Sequence, residues 1–141
     1  MSKSPFAQTG GVSSWREETS SDLRTAQGRI ETVSKTLSGE PDEKAIHSIW
    51  LAYLFIEKSI AFIKVEIDEE NPGRFIKTKA YRVPDERQAL GFSLRNLQKG
   101  TESFLLGDYR QALKELRESR NYLRVLLRQK RLEKLRKMRS R

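Results

Sequence analysis

The chain has no cysteine among its 141 residues, which excludes disulfide bonds and cysteine-ligated metals. It has one histidine, His47, with no nucleophile at a suggestive spacing, so a structural imidazole is expected rather than a catalytic one. Long apolar runs are also missing. The longest is "IWLAYLFI", residues 49–56, and Glu57, Lys58 and Lys64 follow it closely. A membrane span needs roughly 20 apolar residues. No apolar stretch follows a basic start, so no secretory signal is read. The expected setting is soluble and intracellular, as in the cytoplasm.

Catalytic patterns are absent as well. There is no glycine-rich phosphate cradle and no paired His–carboxylate motif. Small helical ribonuclease toxins carry an arginine followed within a few residues by histidine. The nearest arginine before His47 is Arg29, so that signature is missing. A protein without enzymatic activity, cofactor or metal is expected.

What the chain does have is charge. Charged residues make up 33% of it and hydrophobic residues 36%, with a net charge of +9. The last fourteen residues, "RQKRLEKLRKMRSR", carry eight basic groups and one acid, Glu133, which supplies +7 and leaves +2 for residues 1–127. The positive charge is therefore a local electrostatic feature rather than a general property of the surface.

The length suits a single domain able to bury roughly two thirds of its unfolded surface. Residues 1–13, "MSKSPFAQTGGVS", carry no helical or strand period and are expected to form an arm. A first helix is predicted from Ser14, where Ser14 and Glu17 match a capping box. Leu23, Ala26, Ile30, Val33 and Leu37 then recur at spacings of three and four, a narrow stripe that lies on a core, and Gly39 suits the stop. A second helix is predicted from about Pro41 to Ile67, apolar on almost every face between Ile46 and Ile56 and hence buried and central. A third starts near Asp85, carries Leu90, Leu94, Leu97 and Phe104, and is weakened by Gly91 and Gly100. Gly107–Asp108 reads as a C-cap followed by an N-cap. The fourth helix carries Tyr109, Ala112, Leu113, Leu116, Leu123, Leu126 and Leu127, and nothing stops it from running on through the basic tail.

The segment "GTESFLLGDYRQALKEL" resembles one tetratricopeptide-repeat hairpin, with Gly100, Gly107, Asp108, Tyr109, Ala112 and Leu116 at matching positions. Ser103 and Ser119 depart from the pattern and no second copy follows, whereas such repeats need stacked neighbours. The resemblance implies a helix–turn–helix hairpin and no more.

The fold expected is all-α: a four-helix bundle-like domain over residues 14–127, with an N-terminal arm and a projecting basic helix over 128–141. Arg128, Lys130, Arg131, Lys134, Arg136, Lys137, Arg139 and Arg141 surround Leu132, Leu135 and Met138. Such a rod suits a line of phosphates, whose neutralisation releases counterions. A second basic element, "RFIKTKAYRV", places Arg74, Lys77, Lys79 and Arg82 among Phe75 and Tyr81 and is expected to be extended backbone, of which a short hairpin is one form, rather than helix. The acids Glu66, Asp68, Glu69 and Glu70 do not match a calcium loop, and ion pairing is the favoured reading. Trp15 either anchors the arm to a neighbour or packs locally. The partners expected are nucleic acid, DNA or RNA, and other protein subunits in a homo- or hetero-oligomer. The narrow face of helix one and any exposed apolar part of helix two would meet those subunits. The function expected is a non-enzymatic structural subunit of a nucleoprotein assembly. The alternative is a helical adaptor with a basic docking tail.

Overall fold

A computed structural model describes residues 12–37, 42–67 and 85–140. Among these the regular elements are four α-helices: α1 Val12–Thr36, α2 Glu43–Glu66, α3 Glu86–Leu105 and α4 Tyr109–Arg139. The all-α bundle expected from periodicity is observed.

Aspartates start three of the helices. Asp42, Asp85 and Asp108 each accept a hydrogen bond from the backbone N–H three residues on, at 2.8, 2.8 and 3.2 Å. Each satisfies one of the donors that a helix start leaves free. The second helix therefore begins just after Asp42 rather than at Pro41. The first begins earlier than expected: Val12 is already helical, so Ser14 sits inside the first turn and is not the cap.

The α3–α4 turn follows from one glycine. Gly107 has φ of +82°, where a side chain would be strained. Its N–H donates to the Phe104 carbonyl at 3.0 Å, and the Asp108 N–H donates to the Ser103 carbonyl at 2.9 Å. This pair of bonds closes α3 in a Schellman motif, and Asp108 opens α4 from the next position. The tetratricopeptide-like segment is thus a helical hairpin.

The helices form a ring in the order α1, α2, α4, α3: among the described residues backbones approach closely between neighbours, and across the diagonal α1 reaches α4 through the side chains at one corner. Each neighbouring pair runs antiparallel. Lys58 of α2 reaches Glu18 and Asp22 of α1, whereas Ser48 meets Arg29. Glu57 meets Arg120 of α4, and Glu43, at the other end of α2, meets Lys134. Glu57 and Lys58 are consecutive, so they point about 100° apart and brace α2 on both sides. Hydrogen bonds to Glu18 and then Asp22 raise the Lys58 pKa above its ordinary value.

The predicted stripe of α1 is buried throughout, from Leu23 to Leu37. It meets Ile49, Ala52, Ile56, Ile60 and Ile63 of α2, Leu90, Leu97 and Phe104 of α3, and Leu113, Leu116, Leu123 and Leu126 of α4 in one core. Trp15 packs edge-on against Phe104 and Tyr109 at 5.7 and 5.6 Å between ring centres. It is a local anchor between α1 and the α3–α4 corner. At Gly100 α3 lies close on α4: a Cβ there would stand 2.7 Å from Leu116 Cδ2. Nearby, Ser93 and Ser119 are fully buried and hydrogen-bond each other's hydroxyl and carbonyl groups at 2.8–3.0 Å. The serine at 119 departs from the repeat pattern because it belongs to this interhelical pair.

One expectation about α2 is corrected. The helix is not buried all round: Trp50 and Leu54 are 45% and 43% exposed. A helix in a ring touches two neighbours and keeps an outward face, whatever residues occupy it. By length and composition α2 is apolar enough to cross a membrane, although in the bundle its charged midpoint is ion-paired to α1 and α4.

Candidate nucleic-acid interface

Helix α4 has 31 residues, about 46 Å at 1.5 Å per residue. Its acids and bases are not evenly matched. Arg120 lies 3.1 Å from Glu57, and Lys134 lies 3.6 Å from Glu43. Lys130 is held by Glu86 at 2.5 Å and Glu133 at 3.2 Å. Arg128, Arg131, Arg136, Lys137 and Arg139 are exposed, with no carboxylate of the described residues within 4 Å. These five gather at the C-terminal end of α4 and are left to face solvent or a polyanion; Arg110 and Lys114 are the exposed, unpaired cations near its start.

Lys130 is the departure from expectation. Its place in the basic run puts it in the expected phosphate-binding set, but its side chain is only 6% exposed. Burial works against its charge, yet the hydrogen bonds to Glu86 and Glu133 outweigh that and raise its pKa above the ordinary lysine value. The same contact with Lys130 holds the Glu86 carboxyl below its ordinary range, against desolvation. Lys130 is a structural residue because Glu86 stands at the start of α3, directly beside it. The packed part of α4 accordingly extends past Leu127, the expected limit. The bundle flanks it to Lys134, and only about 7 Å of helix runs on to Arg139. The expected rod is real but shorter.

A groove lies between α2 and α4. It has two adjoining parts of about 360 and 450 Å³ that share Ile46, Trp50, Leu127 and Arg131. Its floor is apolar. Arg124, Arg128 and Arg131 stand three and four residues apart on α4, along one side of it. On the α2 side, Trp50 stacks on Tyr53 with ring centres 5.4 Å apart and planes 18° from parallel. Arg124 lies 6.0 Å over the Tyr53 ring and donates to its hydroxyl at 3.3 Å. The Tyr53 hydroxyl in turn donates to Glu57 at 3.3 Å. The Glu57 network closes one end of the groove and the Glu43–Lys134 pair borders the other. His47 is exposed at its edge.

The structure thus brings Arg128, Arg131 and Lys134 to the groove and leaves Arg136, Lys137 and Arg139 on the helix beyond it. Arg74, Lys77, Lys79, Arg82 and Arg141 lie outside the described residues, as do the 1–11 part of the arm and Asp68, Glu69 and Glu70 of the acidic run. Among the described residues no cluster of three or more His, Asp or Glu is arranged to hold a metal. Trp50, Tyr53 and Arg124 were missed. Trp50 and Tyr53 sit in the run read as wholly buried, and Arg124 sits among leucines before the tail. The four-residue spacing of Arg124 to Arg128 is the available signal for the arginine, and the apolar run carries none for the two rings.

Comparison with protein-family models, with curated proteins and with solved structures finds no match for this chain.

Proposed function

We propose that this protein binds nucleic acid without chemical turnover, as a structural subunit of a nucleoprotein assembly. The observation that carries the reading is the set Arg128, Arg131, Arg136, Lys137 and Arg139, concentrated on one helix end and unopposed by described carboxylates. The nearby acids are engaged elsewhere, so the positive field there is not neutralised from within. Arginine predominates in the set, and its planar fork matches phosphate oxygens in pairs.

The test is salt dependence on a short duplex. Five phosphate contacts give a log–log slope of about −4.5, and converting Arg136, Lys137 and Arg139 together to Gln moves it toward about −2. A slope that stays unchanged in the triple variant rejects the helix end as the contact. Truncation after Leu127 is the wrong experiment, because it removes Lys130 and strands Glu86 in a partly buried position.

A second reading has its own observation. Leu132, Leu135 and Met138 are 43%, 46% and 59% exposed and lie three residues apart on α4. An apolar stripe with basic flanks suits an acidic helical partner, which is the adaptor function. Polar replacement of these three residues leaves phosphate binding intact under the first reading and abolishes partner binding under the second.

A further inference from the structure

We infer that the α2–α4 groove is a seat for single-stranded nucleic acid, with an unpaired base stacked on Trp50 and the backbone phosphates on Arg128 and Arg131. The inference rests on the nucleic-acid reading above and adds the class of strand and a residue that reads it.

The argument starts from what the groove offers and what a duplex lacks. Its floor is apolar, formed by Ile46, Leu127 and the indole of Trp50. A duplex presents phosphates and groove edges and keeps its base faces stacked inside, so it has nothing to lay on that floor. A single strand has free base faces, and aromatic side chains beside a cationic track are how such strands are held without sequence preference. Trp50 is oriented for this role. It rests on Tyr53, which Arg124 and Glu57 hold in place, and 45% of its surface remains exposed. The indole is therefore supported before a ligand arrives, and ordering it on binding costs little.

The charges complement this occupant. Arg128 and Arg131 are exposed beside the floor and have no described carboxylate within 4 Å. They lie on successive turns of α4, and Arg139, eleven residues beyond Arg128, stands within about 20° of it round the helix, so a backbone following this face continues onto the helix end. Among the described residues Glu43 is the only acid lining either part of the groove, and Lys134 lies 3.6 Å from it. An acidic amphipathic helix would match the same cations, but it would not need a flat, pre-stacked ring at the centre of the floor.

The experiment compares a thymidine oligonucleotide of about a dozen residues with a duplex of equal length, by fluorescence anisotropy at fixed salt. Trp50→Ala should lower the ratio of single-strand to duplex affinity about tenfold, and Trp50→Phe should retain most of it. In a Trp15→Phe background Trp50 is the remaining indole, and its emission should be quenched by the oligonucleotide. Unchanged circular dichroism and melting temperature in Trp50→Ala confirm that the fold is kept. An unchanged ratio in Trp50→Ala overturns the groove assignment while leaving phosphate binding by the helix end standing. Absence of binding to either probe by the wild type overturns both readings. Quenching of Trp50 by a glutamate-rich helical peptide but not by the oligonucleotide also overturns the assignment, in favour of a protein partner.

Discussion

Lys130 and Glu86 form an ion pair at 2.5 Å that fastens the base of the cationic helix end to the first turn of α3. The lysine side chain is 6% exposed and the glutamate 23%. One residue of the basic run thus holds the run in place, and its neighbours face outward.

Removing one partner leaves the other charged in a poorly solvated place. Lys130→Met should therefore destabilise the bundle by about 3 kcal/mol, measured by urea unfolding. Pairing it with Glu86→Leu should recover a large part of the loss. A double variant no more stable than Lys130→Met would show that the pair is not the source of the effect.

The pair also predicts a pH dependence. Glu86 has its folded-state pKa lowered by the Lys130 hydrogen bond, so its contribution is present above the ordinary carboxylate range and lost as pH falls through the folded value. Lys130 has its pKa raised on balance, so its contribution is present below the ordinary lysine value and lost as pH rises through the raised one. Wild type should exceed Glu86→Gln in stability at pH 7, and the gap should narrow below about pH 5. A gap that stays constant to pH 2 would contradict this linkage.

Gly100 faces Leu116 without room for a methyl group. A Cβ would meet Leu116 Cδ2 at 2.7 Å, Cγ at 2.8 Å and the backbone nitrogen at 3.3 Å. Gly100→Ala gains up to about 1 kcal/mol of helix propensity but overpacks the α3–α4 contact, which typically costs 1–3 kcal/mol. The net should be a loss of about 1 kcal/mol. By contrast, Gly91→Ala meets nothing within 4 Å and should stabilise by about 0.5–1 kcal/mol. Paired thermal melts of the two variants distinguish them, and equal signs would refute the packing account.

At the α3–α4 turn, Asp108→Ala removes the acceptor for the Gln111 N–H and should cost about 1 kcal/mol. Gly107→Ala forces a side chain into the left-handed region and should cost about 1–2 kcal/mol. Hydrogen exchange of the α4 amides should rise first at its N-terminus in both.

Much of the fold was legible because it is local. The spacing of Leu23, Ala26, Ile30, Val33 and Leu37 records a helix face in any surroundings, and all five are buried. The turn at Gly107–Asp108 needed a residue tolerant of positive φ followed by a cap, and the chain has both in order. The candidate site was legible only in part. The exposed cations of α4 were found from charge, whereas Trp50 and Tyr53 were hidden in an apolar run with no mark of which face would stay open.

The order of residues settles the helices, their caps, the apolar stripes and the place where positive charge gathers, because these depend on chemistry within a few turns of chain. Which lysine of the basic run is buried, and which aromatic of α2 borders a groove, came from assembly. Lys130 is structural because Glu86 is beside it in space, 44 positions away in the chain. Trp50 is open because a helix in a ring is covered by two neighbours and not by a third. Burial counts neighbours, and neighbours are chosen by packing rather than by period.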